Sequence, residues 1–195
     1  MSWILLSAAC ALAINCRFAA NSATVAAPAS VVAKSGADAV LIAQGGTVLR
    51  AIAPTLSFDG ATRDKVKLLG TGLWDKDASL TREPSLMGSW YAAPSPNADA
   101  DFVAKYRGAF GAAPAQLSSL AYDAVSLVAL LSQGTPYRRF TAAALMDPNG
   151  FSGVNGIFRF NADGTSERGL AVLEMREGAP VVISPAPTTF QRPAF

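Results

Sequence analysis

Three short clusters hold the side chains best suited to chemistry. In residues 65–75, KVKLLGTGLWD, an apolar run of strand length breaks at Gly70-Thr71-Gly72 and is followed at once by Leu73, Trp74 and Asp75. In an α/β protein, a sheet delivers side chains to a ligand crevice at such a strand end, although an ordinary strand end with a turn has the same pattern. Gly45 and Gly46 close an earlier apolar run with exposed amides, and Tyr122-Asp123 breaks an apolar helical stretch with a phenol and a carboxylate. Glycine amides and the Thr71 hydroxyl donate, Asp75 accepts, and Trp74 supplies an apolar plate. That set suits the holding of a small polar solute. Asp123 has two readings, a buried hydrogen-bonded carboxylate facing a cleft or a residue on an exposed helix edge.

Bond-making chemistry lacks its parts. The sequence has no histidine, which removes histidine-based triads, histidine-ligated zinc and an imidazole switch. Its two cysteines, Cys10 and Cys16, both precede the regular part of the chain and make a poor metal site. The carboxylates at 75, 83, 99, 101 and 123 form no recognisable acid/base pair, and no serine sits in a GxSxG elbow. The expectation is a binding protein rather than an enzyme, without metal or cofactor. Net charge is +2 with the signs interspersed, so no nucleic-acid partner is expected.

The elements that must position these clusters follow from composition and periodicity. At 195 residues, 51% hydrophobic and 15% charged, the chain can build a core. Residues 1–37 stand apart as an apolar, low-complexity segment. The run WILLSAACALAI is too short for a bilayer span but has the size of a secretory signal core, with Ala27-Pro28-Ala29 as a cleavage site. No Lys or Arg precedes it, so a misplaced start is the alternative. From 38 the pattern is α/β. DAVLIA (38–43) reads as a strand covered on both faces, and Gly45-Gly46 ends it. Thr47 caps a helix whose face is Val48, Leu49 and Ile52, with Pro54 ending or kinking it. The strand at 66–70 follows, and LMGSWYA (86–92) forms another.

Ser95-Pro96 starts a helix with Phe102, Tyr106 and Phe110 in one stripe, aided by Asp99 and Asp101 near its N-terminus. A helix at 117–131 carries Leu120, Ala124, Leu127, Val128 and Leu131 on a face wide enough for nearly complete burial. A short helix at 141–146 leads through Asp147-Pro148-Asn149-Gly150 to IFRF (157–160), a strand at 169–176 and VVIS (181–184). That antiparallel meander makes the fold mixed.

The ordered set DAVLIAQGG with LRAIAP, KVKLLGTGLWD, YRGAFGAAP (106–114), LAYDAVSLVALL and DPNGFSGVNGIFRFNADGTSERGLAVLEM resembles the C-terminal half of bacterial type I periplasmic binding proteins. The branch it looks most like is the alphaproteobacterial one related to leucine-binding proteins and to penicillin-binding protein activators. The match covers about residues 37–187. It implies Rossmann-like lobes of three α/β/α layers, here incomplete, with residues 38–93 and 151–187 in a second lobe, helices of 94–150 on the first, and 188–195 as a tail. It also implies ligand-binding positions between lobes at Gly45, Gly46, Thr71, Trp74, Asp75, Tyr122 and Asp123, and a place in the periplasm or cell envelope.

Three functions follow from the resemblance. The first is capture of a small polar solute such as an amino acid for an ABC permease. The second is activation of a penicillin-binding protein in peptidoglycan synthesis. The third is an inactive truncated product, which predicts exposed apolar helix faces.

Overall fold

The structure, a computed structural model, describes residues 3–6, 37–58, 65–115 and 117–191. Cys10, Cys16 and the cleavage site read at 27–29 lie outside the described residues. The chain forms two compact units, Met1–Ala93 with Val172–Ser184, and Pro94–Ala171 with Pro185–Phe195.

The first unit is built on a six-stranded sheet. Strands β1 (Trp3–Leu6), β2 (Ala39–Ile42), β3 (Lys67–Gly70) and β4 (Trp90–Ala93) run parallel, followed in space by β8 (Ala171–Glu174) and β9 (Val181–Ser184) as an antiparallel pair. The sequence reading places no strand at β1, whose four residues pair with β2 from Trp3↔Ala39 to Leu6↔Ile42. Its apolar run is the one read as a signal core. β2 is buried at Val40 and Ile42 and half-buried only at Leu41, as a strand covered on both faces should be.

Helix α1 (Gly46–Phe58) runs through Pro54 instead of ending there. An interior proline costs about 3 kcal/mol. Here it forfeits one bond near the helix end, while Leu49, Ala53 and Leu56, spaced at i, i+4 and i+7, are fully buried. Each such leucine returns about 1.5–3 kcal/mol. That spacing turns Val48 outward, so it is not part of the packed face as the sequence reading has it.

Between β3 and β4 the chain makes three 3-10 turns: Gly72–Trp74, Leu80–Arg82 and Pro84–Leu86. Glu83 caps the last by accepting from the Ser85 amide at 3.3 Å, which delays β4 to Trp90 rather than Leu86. Leu80 and Leu86 are fully buried, so this segment closes the core that the sheet opens.

The second unit carries helices α2 (Ala100–Phe110), α3 (Ser118–Ser132) and α4 (Ala142–Leu145), and a sheet of β5 (Phe151–Gly153), β6 (Gly156–Phe160) and β7 (Ser166–Arg168). α2 begins at Ala100 rather than Pro96, because Asn97 takes a left-handed φ of 63°. It ends on left-handed Gly111, whose amide bonds to the Arg107 carbonyl. β6 pairs antiparallel with β5 on one side and with β7 on the other, β7 being reached through a turn in which the Asp163 carboxylate accepts from the Thr165 amide and hydroxyl. The strand expected at 169–176 is β8, which lies in the other sheet, and β7 is a short strand that the sequence reading does not place. α3 also departs from expectation: it buries Ser119, Asp123 and Leu127, and leaves Leu120, Val125, Val128 and Leu130 exposed.

Candidate functional site

The first cluster sits at the C-terminal edge of the parallel strands. Ile42, Gly70 and Tyr91 lie in one row of the register across β2, β3 and β4. Gly70 is required there, because a Cβ would lie 2.3 Å from the Trp74 ring. The indole folds back over Gly70, is 1% exposed, and donates from Nε1 to the Gln44 carbonyl at 2.7 Å. One side chain thus ties the end of β3 to the end of β2. Gly45 completes the joint, since a Cβ on it would meet the Leu73 carbonyl oxygen at 2.8 Å.

This packing fixes what the edge presents. Thr71 Oγ1 accepts from the Leu73 amide at 3.4 Å, which leaves its own hydroxyl hydrogen to donate. Leu73 is 59% exposed, and Asp75 is half-buried. Beside the turn, α1 begins on Gly46 at φ 56°, and its first intrahelical bond runs from Leu49 N to Gly45 O. The amides of Gly46, Thr47 and Val48 therefore have no intrahelical acceptor and form the positive end of the helix. Tyr91, beside Gly70 in the sheet, is buried, its ring 6.2 Å from that of Trp74. Its hydroxyl has no hydrogen-bond partner among the described residues. Burial first, and the negative charge of Asp75 second, push its pKa up to about 12. The edge can thus hold an anionic group at the α1 amides and a donor at Asp75.

The second cluster lies in the other unit. Asp123 is 5% exposed; its Oδ1 accepts from the Val154 amide at 2.7 Å and its Oδ2 lies 4.0 Å from an Arg168 guanidinium nitrogen. Gly153 allows this approach, since a Cβ there would fall 2.5 Å from Oδ2. One turn earlier, Ser119 Oγ accepts from Asn155 Nδ2 at 2.8 Å. Asp123 and Ser119 together clamp the β5–β6 turn onto α3. Tyr122 faces away and is 51% exposed, its ring 5.2 Å from Phe102. It borders a groove of about 430 Å³ that Phe102, Tyr106 and Phe110 also line, with Asp101 and Lys105 among the lining residues.

The structure therefore groups Gly45, Gly46, Thr71, Trp74 and Asp75 in one unit and Tyr122 and Asp123 in the other. Sequence reasoning missed Gln44, Tyr91, Arg168 and the β5–β6 amide. The only signal for Tyr91 was its alternation with Ala93 in a short strand. Among the described residues no group of three or more His, Cys, Asp or Glu side chains could hold a metal, and no helix is long and apolar enough to cross a membrane.

A family model described as periplasmic binding protein matches residues 15–180. The leucine-binding protein LivK of Thermotoga maritima is 21% identical, with a TM-score of 0.56 over 86% of this chain and 49% of its own. A solute-binding protein of Rhodopseudomonas palustris, solved with benzoate, is 17% identical with a TM-score of 0.51, over 82% and 47%. Full-length LpoA of Haemophilus influenzae is 16% identical with a TM-score of 0.58, over 82% and 29%. These likenesses concern the fold, and the chain spans about half of the first two structures and less of the third. No curated protein matches the sequence significantly.

Proposed function

Because the chain belongs to the periplasmic binding protein family, we propose that it acts in the periplasm or cell envelope as a solute-binding protein of an ABC-type uptake system. Its ligand is a small polar molecule, with an amino acid as the best fit. The observation that carries this reading is the meeting of the α1 N-terminus with the 71–75 turn, secured by the close approach of Gly45 to the Leu73 carbonyl. A ligand carboxylate takes the amides of residues 46–48 and the Thr71 hydroxyl, since a helix N-terminus favours an anion. An ammonium group takes Asp75. Trp74 is a positioning residue, because its buried ring holds Gly70 and Gln44 rather than the solute. In the second unit, Tyr122 lines that unit's own groove and can offer its hydroxyl there, whereas Asp123 is engaged with Val154 and Arg168.

A second reading, an activator of penicillin-binding proteins, draws support from the fold likeness to LpoA of Haemophilus influenzae, a regulator of PBP1A, and from the apolar Leu73 exposed on the edge. A thermal-shift screen of the full chain against amino acids, aromatic carboxylates and peptidoglycan fragments separates the two. A saturable shift with a free amino acid supports solute capture. No shift with any small molecule, together with faster glycan polymerisation when the chain is added to a penicillin-binding protein, supports the activator.

A further inference from the structure

Between α3 and α4 the second unit turns through residues 135–140, TPYRRF. Tyr137 is 101% exposed and Phe140 56%, and both arginines between them are exposed. A lone aromatic ring on a surface is ordinary, but here two rings flank two cations within six residues. Tyr137 also takes a left-handed φ of 68°, a strained backbone for a bulky side chain. The turn is nevertheless held in place. The Arg138 amide donates to the Thr135 carbonyl at 3.0 Å, Arg139 Nε to the Gly134 carbonyl at 3.0 Å, and the Thr141 hydroxyl to the Arg138 carbonyl at 3.2 Å. A strained, bonded turn thus holds an aromatic ring clear of its neighbours, where it adds nothing to the packing of the unit.

Charge identifies the partner. From Ala124 to Met146 the charged residues are Arg138 and Arg139 alone, and among the described residues the ion pairs involve other arginines. The bond from Arg139 Nε leaves its terminal nitrogens to donate, and a guanidinium fork matches the oxygens of a phosphate. We propose that the 135–140 turn is a membrane-contact tip that rests this chain on an anionic phospholipid surface, with Arg138 and Arg139 on the headgroup phosphates and the Tyr137 and Phe140 rings at headgroup depth. Tyrosine suits that depth because its body is apolar and its hydroxyl polar. A projecting ring sinks into a headgroup layer that yields around it, whereas a folded protein partner must offer a shaped pocket for each ring. The cations add attraction to anionic lipid that falls away within a Debye length. Among the described residues no helix is long and apolar enough to cross the bilayer, so the contact made by this turn is peripheral, and two rings with two cations make it weak and reversible.

Co-sedimentation of the full chain with vesicles of mixed phosphatidylglycerol and phosphatidylcholine, against vesicles of phosphatidylcholine alone, tests this. The expected result is binding to the anionic vesicles that the double variant Arg138→Glu, Arg139→Glu weakens about tenfold or more, and that about 0.5 M salt also weakens. Tyr137→Ser removes a ring that touches nothing and leaves both charges, so it should weaken binding while the salt dependence stays. Failure to bind the anionic vesicles, whether or not soluble polyglutamate binds in their place, equal binding to the neutral vesicles, or full binding by both variants would each overturn the proposal.

Discussion

Replacing Trp74 with phenylalanine isolates the bond that holds the candidate site together. The substitution keeps an aromatic ring over Gly70 but removes the indole N–H that donates to the Gln44 carbonyl at 2.7 Å. A buried acceptor left without its donor costs about 1–3 kcal/mol. The smaller ring also leaves a void of roughly 40 Å³, which at about 24 cal/mol per Å³ adds about 1 kcal/mol. The expected loss is about 2–4 kcal/mol, a large part of the 5–15 kcal/mol typical of a whole domain. Trp74→Ala should cost more, because it also empties the space above Gly70. Urea unfolding followed by circular dichroism measures both, with the midpoint falling and the slope unchanged. If Trp74→Phe unfolds at the wild-type midpoint and only ligand binding suffers, the ring is a ligand plate and the positioning role given to it here is wrong.

Three further outcomes follow from named contacts. Asp123→Ala should cost about 2–4 kcal/mol, since it strands the Val154 amide and the Arg168 charge; adding Gly153→Ala, whose Cβ would collide with the carboxylate, should then cost less than in the wild type, as a double-mutant cycle reads directly. For Tyr91 the folded pKa is raised to about 12 from 10.0, so the unfolded chain loses its proton first and stability falls as pH rises from about 10 to about 12; Tyr91→Phe should flatten that part of a stability–pH curve. Gly46→Ala meets no atom within 4 Å but places a side chain at φ 56°, so thermal unfolding should report a loss of about 1 kcal/mol and no change in fold.

The parts legible in the sequence are those in which local pattern and tertiary use agree. β2, α1 and β3 follow from two apolar runs and a glycine pair, and the turn after Gly70 marked the strand end at which five of the seven candidate residues lie in one unit. What the pattern could not supply was direction. Trp74 reads equally well as a plate facing a ligand or as a lid folded back on its own strand; the clue was Gly70, whose missing side chain makes room for the ring. In α3 the count of apolar residues pointed to one face, yet Ser119 and Asp123 are buried there with Leu127 alone of the apolar set. Acceptors for the Asn155 amide group and the Val154 N–H are needed there, and that need arises from a turn more than thirty residues away. β1 was hidden for a different reason: four residues inside a longer apolar run carry no period of their own.

The most direct test is calorimetric titration of the full chain with amino acids, repeated on Thr71→Val, which keeps the branched shape of the side chain and removes the hydroxyl. Saturable one-site binding that weakens about tenfold or more in the variant is the predicted result, the scale of one hydrogen bond to a charged group. Absence of saturable binding, or equal affinity in the two proteins, would contradict a solute site at the end of β3.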